Sequence, residues 1–163
     1  MVMMLSILKF EHRTPKSLED MILYLADKSK TTADGIFGIG CNPLHAALEM
    51  NFIQKLFFYE NLVHPYLQII FAFDIGINLP VHLLRQIAME IGRALIVDRR
   101  QVFGAIHYLN TDKRHCHYLV NYVSVEGKLY QQNYSVWHYK QAVNEILRFY
   151  SLDLINTYAN DKI

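Results

Sequence analysis

Two periods of hydrophobic residues run through the chain, near 2 where strands are expected and near 3.6 where helices are. Residues 3–10 alternate weakly and predict a first strand, closed by the His12-Arg13-Thr14-Pro15 break. Apolar residues at 18, 21, 22 and 25, with Glu19 and Asp20 in the first turn, predict a helix capped by Thr14 or Ser17 and ending near Asp27. After the polar residues 28–34, Gly35, Gly38 and Gly40 read as a loop; their spacing is wrong for a dinucleotide fingerprint. Asn42-Pro43 supplies an N-cap and a first-turn proline for a second helix to about Phe58. Residues 66–73 are almost continuously apolar, as in a central strand buried on both faces. Asn78-Leu79-Pro80 opens a third helix to about Ile96, apolar at 83, 84, 87, 91 and 95.

Residues 101–108 and the run from His115 to Val125 read as two strands joined by turn material at 110–114. A short strand is expected at 128–130, after the Glu126-Gly127 turn. The last helix begins near Ser135, with Trp137, Ala142, Ile146 and Phe149 facing inward. The order β-α-α-β-α-β-β-β-α predicts an α+β fold, a central antiparallel sheet flanked by helices, as one domain over residues 1–163.

Composition narrows the class. Hydrophobic content of 52% and charged content of 19% belong to a globular chain. A formal net charge of +1 means that any contact with nucleic acid must rest on local patches. Cys41 and Cys116 form no CxxC pair and suggest no disulfide framework, so the expected setting is a reducing cytosol. The apolar start lacks the basic residues and cleavage site of a signal peptide, and no run of about 18 apolar residues predicts membrane insertion.

The chemistry concentrates in residues 105–122, which hold three of the eight histidines. On an extended strand His115 and His117 share a face and Cys116 points away. An antiparallel hairpin brings His107 opposite that pair, with same-face Cβ atoms about 4.5–5.5 Å apart. A lone strand histidine is ordinarily a surface or core residue, but three converging imidazoles suit a divalent ion; by softness they admit Zn, Ni or Cu. Such an ion acts as a Lewis acid on a phosphodiester, and the missing part is then a nucleophile. Tyrosine is competent for this, but with eleven in the chain only position can select one.

His107, His115 and His117, spaced H-x7-H-x-H, with Asn121 following, resemble the third motif of plasmid and conjugative-element relaxases. These are mobilization nucleases of the HUH endonuclease superfamily, MobA/MOBP-like. The run Thr14-Pro15-Lys16-Ser17-Leu18 leading to Tyr24 is similar to the entry of the family's early nucleophile helix. Gly40-Cys41-Asn42-Pro43 and the segment 127–132 resemble further family segments, so the likeness covers nearly the whole chain and is closest to mobilization proteins of Gram-positive bacteria.

The resemblance implies Tyr24 as nucleophile, the three histidines as ligands of Mg or Mn, and nicking and rejoining of DNA through a 5′-phosphotyrosyl intermediate. It also implies single-stranded DNA at an origin of transfer as partner, with accessory relaxosome proteins. Asp112 and Asn121 are candidate groups behind the ligands, though Asp112 equally suits a plain turn. Arg99, Arg100, Lys113 and Arg114 are candidate phosphate contacts, against the ordinary reading of solvated turn residues. Two features depart from the family: Gln68 and Ala72 stand where it commonly has a His and a Ser on the central strand. Two alternatives stay open. One is an HUH transposase or rolling-circle initiator whose nucleophile is downstream, at Tyr134, Tyr139 or Tyr150; the other is a non-catalytic, DNA-binding relaxase remnant.

Overall fold

The computed structural model describes residues 6–11 and 14–157, so the predicted strand start at 3–5 and the break at His12-Arg13 lie outside the described residues. Five strands form one sheet: β1 (Ile7–Glu11), β2 (Ile36–Ile39), β3 (Tyr66–Ala72), β4 (Val102–His107) and β5 (His115–Asn121). Their spatial order is β1-β3-β5-β4-β2 and every pairing is antiparallel. The α-helices are α1 (Leu18–Leu25), α2 (Ala46–Leu56), α3 (Val81–Leu95) and α4 (Val136–Phe149). This is the α+β sandwich the hydrophobic pattern predicts.

Strand alternation divides the buried residues into two cores. On one face Ile69, Phe71, Ile106, Cys116 and Tyr118 pack under Leu84, Ile87 and Ile91 of α3 and Val143 and Leu147 of α4. On the other, Tyr66, Phe103, Ala105 and Leu119 pack under Leu18, Met21 and Leu25 of α1 and Ala46 and Met50 of α2. The sheet is thus the middle of three layers, which explains why six of the seven β3 residues are buried. Ser17 caps α1, accepting from the Asp20 amide at 3.1 Å. Asn42 caps a single 3₁₀ turn before α2, accepting from the Leu44 amide at 2.9 Å.

Three expectations are corrected. The glycine-punctuated stretch contains an edge strand, β2, rather than only loop. Glycine there serves close approach: Phe37 of β2 lies across from Gly104 of β4, its ring where a Cβ of Gly104 would sit. Residues 128–130 form no strand; a lone bridge joins Val123 to Leu129 around Gly127, whose φ of +81° suits a turn. On α4 the inward residues are Tyr139, Lys140, Val143, Asn144 and Leu147, while Trp137 and Phe149 are exposed. Apolar Tyr139, Val143 and Leu147 share this face with polar bonds that hydrophobicity does not register. Asn144 donates to the Ile155 carbonyl at 3.0 Å and accepts from the Ile155 amide at 2.7 Å.

Gly104→Ala would place a Cβ 2.1 Å from the Phe37 ring. The expected result is a loss of about 1–3 kcal/mol, as overpacking costs, read from urea unfolding; an unchanged midpoint would show that the β2 edge yields freely.

Candidate active site

The pairing of β4 with β5 sets His107 directly opposite His115 and Ala105 opposite His117. All three rings therefore project from the face covered by α1 and α2. Their centroids lie 5.1 Å (His107–His115), 4.5 Å (His107–His117) and 4.9 Å (His115–His117) apart. One ligand atom from each falls within 4.8 Å of the others.

Backbone carbonyls orient two of the rings. His107 Nε2 donates to the Leu25 carbonyl at 2.8 Å, and His115 Nδ1 donates to the Lys113 carbonyl at 2.9 Å. Each ring then presents its other nitrogen as a lone pair, the arrangement that fixes the tautomer of metal-binding histidines. Burial lowers the pKa of His107 and of His115. Burial, then the two neighbouring rings, takes His117 down to about 2. Three neutral imidazoles result, ready to ligate without first losing protons. His117 also keeps a buried Nδ1 with no hydrogen-bond partner. A buried orphan nitrogen is costly unless something fills its valence, so the donor set fits a divalent ion.

The triad opens into a cleft of about 410 Å³, whose lining also includes Tyr24, Ser29, Lys30, Asn110 and Thr111. Tyr24, in the last turn of α1, is half exposed there. Lys30 Nζ sits 3.3 Å from the centre of its ring, and Lys16 Nζ 5.4 Å away. Lys30 also anchors the hairpin: its carbonyl accepts from the amides of Tyr108 and Leu109, each at 3.1 Å. Sequence reasoning missed Lys30, because a lysine in a polar loop carries no signal of its own; its six-residue distance from Tyr24 was the available hint.

Other candidates lie elsewhere. Asp112 is exposed in the hairpin loop and does not line the cleft. Asn121 shares the histidine face but stands four residues beyond His117, about 13 Å along the strand. It is fully buried, accepting from Gln54 at 2.9 Å and donating to Gln101 at 3.0 Å. Arg100 is buried too. Its Nε donates to Asp98 at 2.8 Å, and its Nη1 to the carbonyl of Tyr122 at 2.7 Å. Arg99 is exposed beside it, at the start of β4. Lys113 and Arg114 adjoin the far end of that strand, and the Arg114 guanidinium donates to the Ile77 carbonyl. The four cations therefore form two separate pairs rather than one patch. On β3, Ala72 lies opposite His115, and Gln68 shares the histidine face.

A histidine triad thus shares a cleft with a tyrosine, on an antiparallel sheet between two helical layers. The family model of the MobA/VirD2-like relaxase nuclease domain matches residues 24–152. The chain belongs to that family, whose members are metal-dependent DNA-nicking enzymes acting on single-stranded DNA. No curated protein matches the chain. Among the described residues no helix is long and apolar enough to cross a membrane.

Two substitutions separate the site from its scaffold. His117→Ala should weaken Mn binding more than about 100-fold, since even groups behind a ligand are worth 10–100-fold, as read by calorimetric titration. Asn121→Ala should instead lower stability by about 1–3 kcal/mol, by stranding its buried partners, and leave Mn affinity unchanged. A loss of Mn binding in Asn121→Ala would return that residue to the site.

Proposed function

We propose that this chain nicks and rejoins one strand of DNA at an origin of transfer during plasmid or integrative-element mobilization. The observation that carries the reading is the cleft shared by Tyr24 and the three histidines. The Tyr24 hydroxyl oxygen attacks the scissile phosphorus in line. The phosphorus–O3′ bond breaks and the 3′-oxygen leaves as a hydroxyl, gaining one proton as the Tyr24 hydroxyl loses one. The 5′-phosphate stays on the tyrosine as a phosphodiester, so the 3′-hydroxyl can reverse the reaction without ATP. His107, His115 and His117 hold a divalent ion, Mg or Mn as the family implies, with Zn, Ni or Cu compatible with the imidazole donors. When bound, the ion supplies Lewis-acid polarisation of the phosphate. Lys30 and Lys16 add positive charge beside Tyr24, where the phosphate must come. Accessory relaxosome proteins and a bacterial cytoplasm complete the setting.

Downstream tyrosines suit the chemistry less well. Tyr139 is buried in the α3–α4 core, across the sheet from the triad, and Tyr150 donates to Glu90 at 2.6 Å. Tyr134 packs on Tyr139, 6.0 Å between ring centroids, on that same side. A second reading, a DNA-binding remnant without catalysis, is favoured by one observation. Ala72 places a bare methyl opposite His115, where the family commonly has a hydroxyl.

The deciding experiment incubates the protein with Mn and a library of single-stranded oligonucleotides, and resolves covalent adducts by denaturing electrophoresis. An adduct is expected for the native protein and for Tyr134→Phe, and none for Tyr24→Phe. DNA binding without any adduct would favour the remnant, and an adduct surviving Tyr24→Phe would move the nucleophile elsewhere.

A further inference from the structure

Helix α2 turns apolar residues to both sides. Ala46 and Met50 are in the core, yet Leu48, Phe52 and Leu56 are 71%, 62% and 54% exposed. These three recur every fourth residue and form one stripe along the outside of the helix. A shallow groove of about 460 Å³ runs beside Leu48 and Phe52, lined also by Ile53, Glu49 and Gln101. A contiguous apolar stripe of this kind marks an interaction surface.

The identity of the partner is written in the order of the residues. Centred on Phe52, α2 reads Leu48-Glu49-x-x-Phe52-x-x-Lys55-Leu56. The positions three residues either side are Glu49 and Lys55, of opposite charge. The positions four either side are both leucine. An antiparallel copy related by a two-fold axis through Phe52 would set Leu48 against Leu56 of the second copy, and Glu49 against its Lys55. Symmetry repeats each pairing. An isologous contact requires this self-complementarity, and an aromatic residue at its centre is the usual energetic anchor. Lys55 is exposed; the Glu49 carboxylate already accepts from the Asn42 amide at 3.2 Å and keeps lone pairs for a cation. The stripe itself is unlike a DNA-binding face, which is polar and strongly positive. It is also unlike a membrane-surface helix, whose polar flank is rich in Lys and Arg.

We propose that α2 docks on α2 of a second copy of this chain, antiparallel about Phe52, leaving each histidine cleft on its own protomer. Sedimentation equilibrium on the full chain tests this. A concentration-dependent dimer is expected. Phe52→Asp should abolish it, and Lys55→Glu should weaken it about tenfold by creating two like-charge contacts. Glu49→Lys combined with Lys55→Glu should restore it to within about threefold, because the pairing is exchanged rather than lost. Circular dichroism verifies that each variant is folded; should the double variant lose its fold through the Asn42 contact, a mixture of two singly charged chains, Leu56→Glu with Leu56→Lys, should remain monomeric, whereas Leu48→Lys with Leu56→Glu should associate. A native chain that stays monomeric to millimolar concentration overturns the proposal, as does a dimer indifferent to both Phe52→Asp and Lys55→Glu. Binding of the monomer to lipid vesicles through Phe52 would likewise overturn it and assign the stripe to a membrane surface.

Discussion

Everything at the site depends on the register between β4 and β5. Side chains alternate across a strand, so a slip of one residue would carry the histidines of one strand into the opposite core and bring Cys116 to the cleft. The register is held from both faces. Ile106, Cys116 and Tyr118 are locked under α3 and α4, while Ala105, Phe103 and Leu119 lie under α1 and α2. Tyr118 adds a directional tie, its hydroxyl donating to the Ala88 carbonyl of α3 at 2.6 Å. β5 is the central strand, paired on both edges, and so is the least free of the five to shift. Two of the three histidines stand on this most constrained strand and the third on its neighbour β4, which suits side chains that must converge within a few ångströms.

The far end of the same strand is organised by polar groups. Asn121 links α2, β5 and the approach to β4 through Gln54 and Gln101, and receives the Val123 amide at 3.1 Å. Arg100 then closes the turn by binding Asp98 and the carbonyls at 121 and 122. A motif asparagine and a buried arginine near the histidine hairpin invite a functional reading. Their burial makes them the fasteners that keep α2 and β4 aligned, since a buried polar network is stabilising only when every member is satisfied.

Much of this was legible in the sequence, for identifiable reasons. Long apolar periodicities in α1 and α3 follow the 3.6-residue rule because each helix buries one stripe. The β3 run is continuous because helices cover both of its faces. The H-x7-H-x-H spacing reads as a hairpin because both flanks are strongly β-prone. What was illegible depends on partners distant in sequence. β2 is a strand only because Gly104, some seventy residues later, makes room for Phe37. The inward face of α4 joins apolar Tyr139, Val143 and Leu147 to Asn144, whose grasp of the backbone at Ile155 no hydrophobic pattern registers. Lys30 gains meaning only when the chain folds it over Tyr24.

One hydrogen bond carries a wider consequence. The Leu25 carbonyl belongs to the last turn of α1, where a helix leaves its acceptors unsatisfied, and His107 fills that vacancy. The residue before Leu25 is Tyr24. Aiming an imidazole and seating a tyrosine are therefore not separate tasks for this fold, since adjacent residues of one helical turn do both. The hairpin alone, moved to another scaffold, would bring its histidines but not the carbonyl that aims His107. The smallest transplantable piece of this arrangement is the hairpin together with the end of α1, two segments 82 residues apart and joined by a single proton.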